Sequence, residues 1–403
     1  MKHRIFDGGI TSPKGFKASG VEAGIKYKNK KDVALICSET DCSAAGVFTT
    51  NKVAAAPVVL DRQRIASGKA RAVLVNSGCA NACTGEKGLV DAQAMARAAA
   101  DALCISEELV LIGSTGVIGV NLPMDRISHG AKLAVSALSA KGGADAARAI
   151  MTTDTVPKEI ACDLTIDGRT VTLGGMCKGS GMIEPNMATM LGYITTDAAI
   201  GPADLQAALR DAVEISFNRV VVDGDQSTND TVLVLANGAA GNVPLSPAHP
   251  QWADFTAALR EICVELSKKI VLDGEGATKF VSVKVRGAKT NADAQLAARA
   301  IAKSPLVKTS WFGIDPNWGR VIAAAGYSGA DVDDQKARIY YGDICAYDRG
   351  KVAGKETLEQ MQQIMKARAF DVTVDLGLGD GTDTIFTCDF SFDYVKINAE
   401  YTT

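Results

Sequence analysis

Cys177–Leu191 reads CKGSGMIEPNMATML. Glycines and a proline lead up to an Ala-Thr bond in a run that is otherwise small and apolar. That composition suits a sharply bent segment, in which a Thr hydroxyl is pressed against its own preceding carbonyl. If the bond between Ala188 and Thr189 breaks there, the product is an N-terminal threonine, which carries a nucleophile and its own base in one group. Read for structure alone, the same residues are a Gly-rich turn followed by the start of a buried helix or strand, because Gly and Pro are first of all punctuation.

Upstream of this stretch, short apolar runs alternate with turns. Val33–Cys37, Ala55–Leu60 and Ala72–Val75 read as strands, and Leu89–Leu103 has helical spacing with abundant Ala. A strand at Glu108–Ile112 leads into GSTGVIG, and helices follow at Ile127–Leu138 and Ala144–Met151. Lys158–Ile166 and Thr170–Met176 form a hairpin about Asp167-Gly168, since Asp-Gly favours the required turn. Downstream come a helix near Ala203–Ser216, strands at Val220–Val222 and Thr231–Leu235, and a long helix over Trp252–Ile270. The last quarter reads as a strand at Lys279–Val285, a helix at Ala292–Lys303, and strands near Arg320–Ala325 and Thr384–Phe390. This alternation predicts a mixed, layered α/β protein of α-β-β-α type.

Composition narrows the function. The chain has 403 residues, 47% hydrophobic and 22% charged, with a net charge of -3. It can bury a sizeable core, and disorder or a nucleic-acid surface is not expected, since phosphate binding needs a basic patch. The densest basic run, Lys26–Lys31 (KYKNKK), is a short solvated turn. With no apolar run of eighteen and no leader-like start, a cytoplasmic protein without a membrane span is expected. Ten cysteines show no CxxC pair and no nearby His to complete a zinc site, so buried reduced thiols are the expectation. Of the histidines, His3, His129 and His249, none is placed for a Ser-His-Asp or Cys-His arrangement. An acyl-transfer enzyme built on this sequence would draw its base from elsewhere, which favours the N-terminal threonine.

Three further constellations each carry two readings. Gly113-Ser114-Thr115-Gly116 is a tight turn after a strand, or a place where the Gly116 N–H and the Thr115 hydroxyl face a developing oxyanion. It lacks the Lys and spacing of a P-loop. Asp223, Asp225, Asn229 and Asp230 resemble a metal loop at first sight, but the EF-hand pattern fails and a turn with Asx hydrogen bonds fits better. Glu275, between glycines in LDGEGATKF, is by composition an exposed loop carboxylate. Near a substrate amine it would supply the charge that a small cationic amino acid needs.

Together, VNSGCANACTG at Val75–Gly85, GSTGVIG, TTDT at Thr152–Thr155, KGSGMIEPNMATML, FNRVVVDGDQSTNDT, DGEGATKF and DPNWGRV at Asp315–Val321 resemble the glutamate N-acetyltransferase family, also called ornithine acetyltransferase, of arginine biosynthesis. The likeness spans essentially the whole chain. It implies two lobes with the site between them, and a mechanism similar to that of N-terminal-nucleophile hydrolases. It also implies self-cleavage into Met1–Ala188 and Thr189–Thr403, commonly held as an α2β2 assembly. Residue by residue, the nucleophile is Thr189, and Thr115 and Gly116 match the oxyanion hole. Thr152, Lys178, Thr189 and Glu275 match substrate-contacting positions, joined by Asn398 and Thr403.

The implied chemistry has two stages. In maturation, Thr189 Oγ attacks the Ala188 carbonyl and water hydrolyses the resulting ester. In turnover, the freed α-amine, with a reference pKa of roughly 7.7–8.0, accepts the hydroxyl proton, and Thr189 takes the acetyl group of N2-acetylornithine. Ornithine leaves and the glutamate amine collects the acetyl group. No metal or organic cofactor is required, because the ester on Thr189 is the carrier. Lys178, at about 10.4 unless desolvated, is a poorer base and better suited to a substrate carboxylate. Breadth of the family favours acetyl-CoA as a second donor. The alternatives are an enzyme that only recycles acetyl groups, an amidase of the N-terminal-nucleophile type, and a non-catalytic binding protein with Thr189 in an intact turn.

Overall fold

Successive side chains of a strand point to opposite faces, and Val33–Phe48 shows what that does here. Val33 and Leu35 fall in one buried cluster, Ala34 and Ile36 in another. Ala72 and Leu74 divide from Val73 and Val75 in the same way, as do Val110 and Ile112 from Leu111. This sheet is therefore buried on both faces, which is why its strands read as continuous apolar runs. The helices Gly85–Leu103 and Met124–Ser136 cover one face through Ala92, Met95, Ala96, Ala99, Ala131 and Ala134. Gly143–Ala149 contributes Ala146 and Ala147 to the other. Each large side chain buried this way, such as Leu35 or Ile36, contributes about 1.5–3 kcal/mol.

A computed structural model of the chain describes residues 3–184 and 190–400, so Ala188, Thr189 and Thr403 lie outside the described residues. The chain divides into two compact units. One takes the chain up to Asn218 together with Asp225–Ile270; the other takes Arg219–Gly224 and the chain from Val271 onward. Among the described residues the first unit holds a nine-stranded mixed sheet. Its order is His3–Phe6, Lys158–Ile166, Arg169–Lys178, Leu191–Thr196, Thr231–Ala236, Val33–Phe48, Lys69–Cys79 and Val110–Val117, with Phe16–Val21 paired beside Val33–Phe48. The second unit holds a seven-stranded sheet, in which Phe280–Ala288 lies between Ala369–Asp375 and Gly381–Cys388. Val281, Val283, Val372, Val374 and Ile385 form its core with Ala294, Ala298 and Ile301 of the helix Asn291–Lys303. That helix is capped by the Thr290 hydroxyl, which accepts the Asp293 N–H at 3.1 Å.

The hairpin expected at Asp167-Gly168 is present. Ile166 pairs with Arg169, and both turn residues have positive φ, 51° and 73°, as the type I′ turn requires. Its register places Lys158 opposite Cys177, so Lys158 and Lys178 emerge together at the open end. Lys178 in turn pairs with Leu191, and Leu191 with Thr231. One end of four neighbouring strands thus carries Lys158, Lys178, Met190 and Asp230.

Two expected strands are helices. Ala55–Leu60 lies mostly in the helix Ala56–Arg64, because Pro57 sits in its first turn, where the missing N–H costs nothing. Arg320–Ala325 lies in the helix Trp318–Gly326, whose N-cap Asn317 accepts the Arg320 N–H at 3.1 Å. Val321, Ala324 and Ala325 are its buried face, at helical and not strand spacing. GSTGVIG is no turn after a strand: the strand itself runs Val110–Val117. No helix among the described residues is long and apolar enough to cross a membrane.

Candidate active site

The open end of the hairpin is organised by Asp154. Its side chain is fully buried, with Lys158 Nζ 2.7 Å from Oδ1 and Lys178 Nζ 3.9 Å from Oδ2. Oδ1 also accepts the Gly179 N–H at 2.7 Å, and Oδ2 accepts the Thr152 N–H at 3.0 Å. Burial opposes the charged form. The two ammonium groups and the Lys158 and Gly179 hydrogen bonds outweigh it and hold Asp154 below the usual carboxylate range. Thr153 and Ser180 share a hydroxyl hydrogen bond of 2.7 Å. Lys30, from the basic run read as a solvated turn, donates to the Thr152 carbonyl at 2.9 Å. The TTDT loop is thus stitched to Gly179 and Ser180, the entrance to the segment containing Ala188 and Thr189. That entrance is bent: φ is 155° at Gly179 and 56° at Met182, a left-handed conformation that costs a methionine about 1–3 kcal/mol.

Lys178 also reaches Thr115, with Nζ 3.5 Å from Oγ1. An ammonium donates, so the hydroxyl oxygen accepts and the hydroxyl hydrogen stays free to point at another acceptor. Gly116 follows at φ 128°, and a Cβ there would lie 2.3 Å from the Gly78 carbonyl carbon. Only glycine permits this approach of the two backbones. The strand end is held by Asn229, whose Nδ2 donates to the Ser114 carbonyl at 2.8 Å and to the Ala80 carbonyl at 2.7 Å. Asn76 and Ser114 add a buried side-chain hydrogen bond of 2.6 Å.

Asp230, next to Asn229, accepts the Met190 N–H at 2.7 Å through Oδ1, and Thr231 N–H donates to the Met190 carbonyl at 3.1 Å. Burial pushes the Asp230 carboxyl well above its ordinary value, against the Met190 hydrogen bond, the nearby Thr49 hydroxyl and the Lys178 charge. Asn229 and Asp230, read from the sequence as turn-formers, are buried and committed to the backbone groups of Ala80, Ser114 and Met190. Asp225 stays exposed, and Asp223 belongs to the other unit.

In the second unit Glu275 is buried, against the expectation of an exposed carboxylate. The reason is local. Gly276, at φ 66°, packs its Cα face against the Tyr394 backbone, and Ser391 donates to the Gly276 carbonyl at 2.6 Å. Asp389 accepts the Thr278 and Lys279 N–H groups, each at 2.8 Å, fixing the loop beyond. Asn398 Nδ2 donates to Glu275 Oε2 at 2.9 Å, so two positions singled out from the sequence are in direct contact.

Sequence comparison matches residues 17–403 to the ArgJ family. The chain belongs to the ArgJ family. The arginine biosynthesis bifunctional protein ArgJ of Symbiobacterium thermophilum is 54% identical over 399 residues, covering 98% of this chain and 99% of that one. The protein of the same name from Geobacter sulfurreducens is 51% identical over 390 residues, covering 97% and 99%. Among solved structures, the arginine biosynthesis bifunctional protein ArgJ of Bacillus halodurans is similar with a TM-score of 0.51 and 44% identity. All of that solved chain matches 53% of this one. The mixed α/β fold with two lobes is that of a self-cleaving ArgJ protein.

Of the residues singled out from the sequence, the first unit brings together Lys178 and Thr115, with Gly116 next in the strand and Thr152 joined through Asp154. Glu275 and Asn398 are paired in the second unit. Ala188, Thr189 and Thr403 lie outside the described residues. Sequence reasoning passed over Asp154 and Lys158, and read Asp230 only as a turn residue. Asp154 stood in the quoted TTDT motif, but nothing in its spacing announces that it faces two lysines. Among the described residues no group of His, Cys, Asp and Glu is arranged to hold a metal ion.

Proposed function

We infer that this chain is a glutamate N-acetyltransferase that moves the acetyl group of N2-acetylornithine to glutamate, and that it also acetylates glutamate from acetyl-CoA. Near-full-length identity to the bifunctional ArgJ proteins supports both activities. The proposed residues are Thr189 as nucleophile, with Thr115 and Gly116 as the oxyanion hole. Thr152, Lys178, Glu275, Asn398 and Thr403 are the proposed substrate contacts. In maturation Thr189 Oγ attacks the Ala188 carbonyl, the C–N bond breaks, and water hydrolyses the ester to free the threonine amine. The strained backbone at Met182, at the entrance to the segment, supports this reading. A solved relative whose whole chain matches about half of this one is what a polymer cut near its middle would give, and Thr189–Thr403 is just over half of the sequence. An α2β2 assembly of the two pieces is part of the same proposal.

In turnover the amine takes the hydroxyl proton as Oγ attacks the acetyl carbonyl, and charge develops on the carbonyl oxygen. The observation that carries the reading is the buried contact between Lys178 and Thr115. It leaves the hydroxyl hydrogen available for that oxygen and puts a positive charge behind it, in a site where such donors are worth about 3–4 kcal/mol each. Glu275, oriented by Asn398, is the proposed partner of the cationic side chain of ornithine.

The test is mass spectrometry of the denatured protein. The unsubstituted protein yields two chains meeting at Ala188–Thr189, and incubation with N2-acetylornithine adds one acetyl group to Thr189. A parallel incubation with acetyl-CoA tests the second donor. Thr189→Ala remains one chain and takes no acetyl group. A cleaved and active Thr189→Ala protein refutes the assignment. Acetyl release that does not require glutamate would favour the amidase.

A further inference from the structure

Lys308 is a buried cation of the second unit that the chemistry above does not use. It lies in the helix Pro305–Phe312 and is 0% exposed. Its Nζ donates to the Thr387 hydroxyl oxygen at 2.8 Å and to the Cys388 carbonyl, and stands 4.7 Å from the centre of the Phe390 ring. These partners are neutral, whereas a charge taken out of water is ordinarily matched by an opposite one. Burial pushes the ammonium below its ordinary value, with the charges of Asp389 and Asp223 among the influences opposing it. A methionine of nearly the same shape would fill the space without that cost, so the lysine asks for an explanation.

The segment that Lys308 grips supplies one. Its ammonium holds Thr387 and Cys388, and its carbonyl accepts the Phe390 N–H at 3.3 Å. Between these anchors stands Asp389, which accepts the Thr278 and Lys279 N–H groups, each at 2.8 Å, and the Thr278 hydroxyl. Two residues on, Ser391 donates to the Gly276 carbonyl at 2.6 Å. Gly274 packs on Cys388 itself, since a Cβ there would lie 3.3 Å from Cys388 Sγ. Residues 388–391 are therefore the bed on which residues 274–279 lie, with Glu275 between the two glycines. We propose that Lys308 is a positioning residue for Glu275: by clamping Thr387, Cys388 and Phe390 it holds the loop whose carboxylate selects a cationic side chain. The proposal rests on Glu275 as the partner of the ornithine side chain. An ammonium suits the task because its three hydrogens on one compact centre serve a hydroxyl and a carbonyl together.

The test compares Lys308→Met with the unsubstituted protein on two acetyl donors. One is N2-acetylornithine; the other is N2-acetylnorvaline, which has the same carbon chain without the terminal amine. Transfer to glutamate is assayed with each, and Tm is measured alongside. The expected result is a KM for N2-acetylornithine raised about 10- to 100-fold with kcat little changed, the worth of one contact to a charged group. With N2-acetylnorvaline kcat/KM should be little changed, so the preference between the donors falls by nearly the same factor. A lysine that only supports the fold would lower Tm and slow both donors alike, and an unchanged preference overturns the proposal. Where Lys308→Met does not fold, Lys308→Gln, which removes the charge and shortens the reach, is measured against the same criterion. Glu275→Gln separates the two levels. If it leaves the preference intact, the reading of Glu275 fails and the proposal with it; if it abolishes the preference and Lys308→Met keeps it, only the role of Lys308 falls.

Discussion

Replacing Asp154 by Asn should destabilise the first unit strongly. The carboxylate is fully buried between two ammonium groups that are themselves 1% and 4% exposed. At an effective dielectric constant near 20, charges 4 Å apart attract by about 4 kcal/mol, and the Lys158 contact is closer. Desolvation consumes most of that gain, so the measurable quantity is the cost of stranding the lysines, about 3–5 kcal/mol. The amide cannot restore the pattern. Both oxygens of Asp154 accept backbone N–H groups, from Gly179 and Thr152, and whichever way Asn turns, its NH2 meets one of them. For a unit of this size the loss lowers Tm by roughly 6–20 °C. Its pH dependence has a fixed sign. The folded pKa of Asp154 lies below the unfolded value of about 3.9, so its stabilisation is complete above that value and lost as pH falls further. Thermal melts of the two proteins should therefore differ fully at pH 7 and begin to converge only below about pH 4. A gap under about 1 kcal/mol at pH 7, or one that stays constant into acid, refutes the reasoning.

The remaining expectations are direct. On the proposed oxyanion-hole assignment, Thr115→Ala should reduce kcat by about 100- to 1,000-fold while Tm stays within a few degrees, since the hydroxyl would then serve the reaction and not the fold. Native protein treated with a thiol reagent should label Cys83 and Cys104, which are exposed. Cys42, Cys162 and Cys177 should be spared until denaturant is added, because burial pushes each up to about 12. Peptide mapping of the labelled protein checks both halves, and early labelling of Cys177 would contradict its burial.

The sequence was legible where a local rule has no competitor. Asp167-Gly168 between two alternating runs admits one turn, and Leu89–Leu103 carries enough alanine at helical spacing to be read directly. It misled where two rules met. Ala55–Leu60 is apolar and partly β-branched, which suggests a strand, yet Pro57 suits the first turn of a helix better than a sheet interior. Arg320–Ala325 was misread for want of its cap: Asn317 stood three residues before it. The motifs of the site were visible as motifs, but their meeting was not. Thr152–Asp154 and Gly179 are joined by a carboxylate in a loop, and loops have no periodicity from which a partner can be read. Asn229 and Asp230 were hidden among residues that turns also favour, and only their burial against Ser114 and Met190 separates them from ordinary loop polar groups.

Asp154 and Asp230 show why two similar carboxylates flank one segment. Asp154 holds Gly179 on the side of Ala188, and Asp230 holds Met190 on the side of Thr189. They differ in charge because their surroundings differ. Two lysines and hydrogen bonds hold Asp154 below the usual carboxylate range, whereas burial outweighs the Met190 hydrogen bond, the Thr49 hydroxyl and the Lys178 charge and raises Asp230 well above it. Pairs of acids pushed apart in this way mark sites where the groups have separate tasks. Asp154 balances Lys158 and Lys178, so that Lys178 can reach Thr115 without an uncompensated charge in the interior. Asp230 holds the Met190 amide from within the interior. Gly179 precedes and Met190 follows the proposed cleavage point, so on that proposal breaking the bond would release neither anchor.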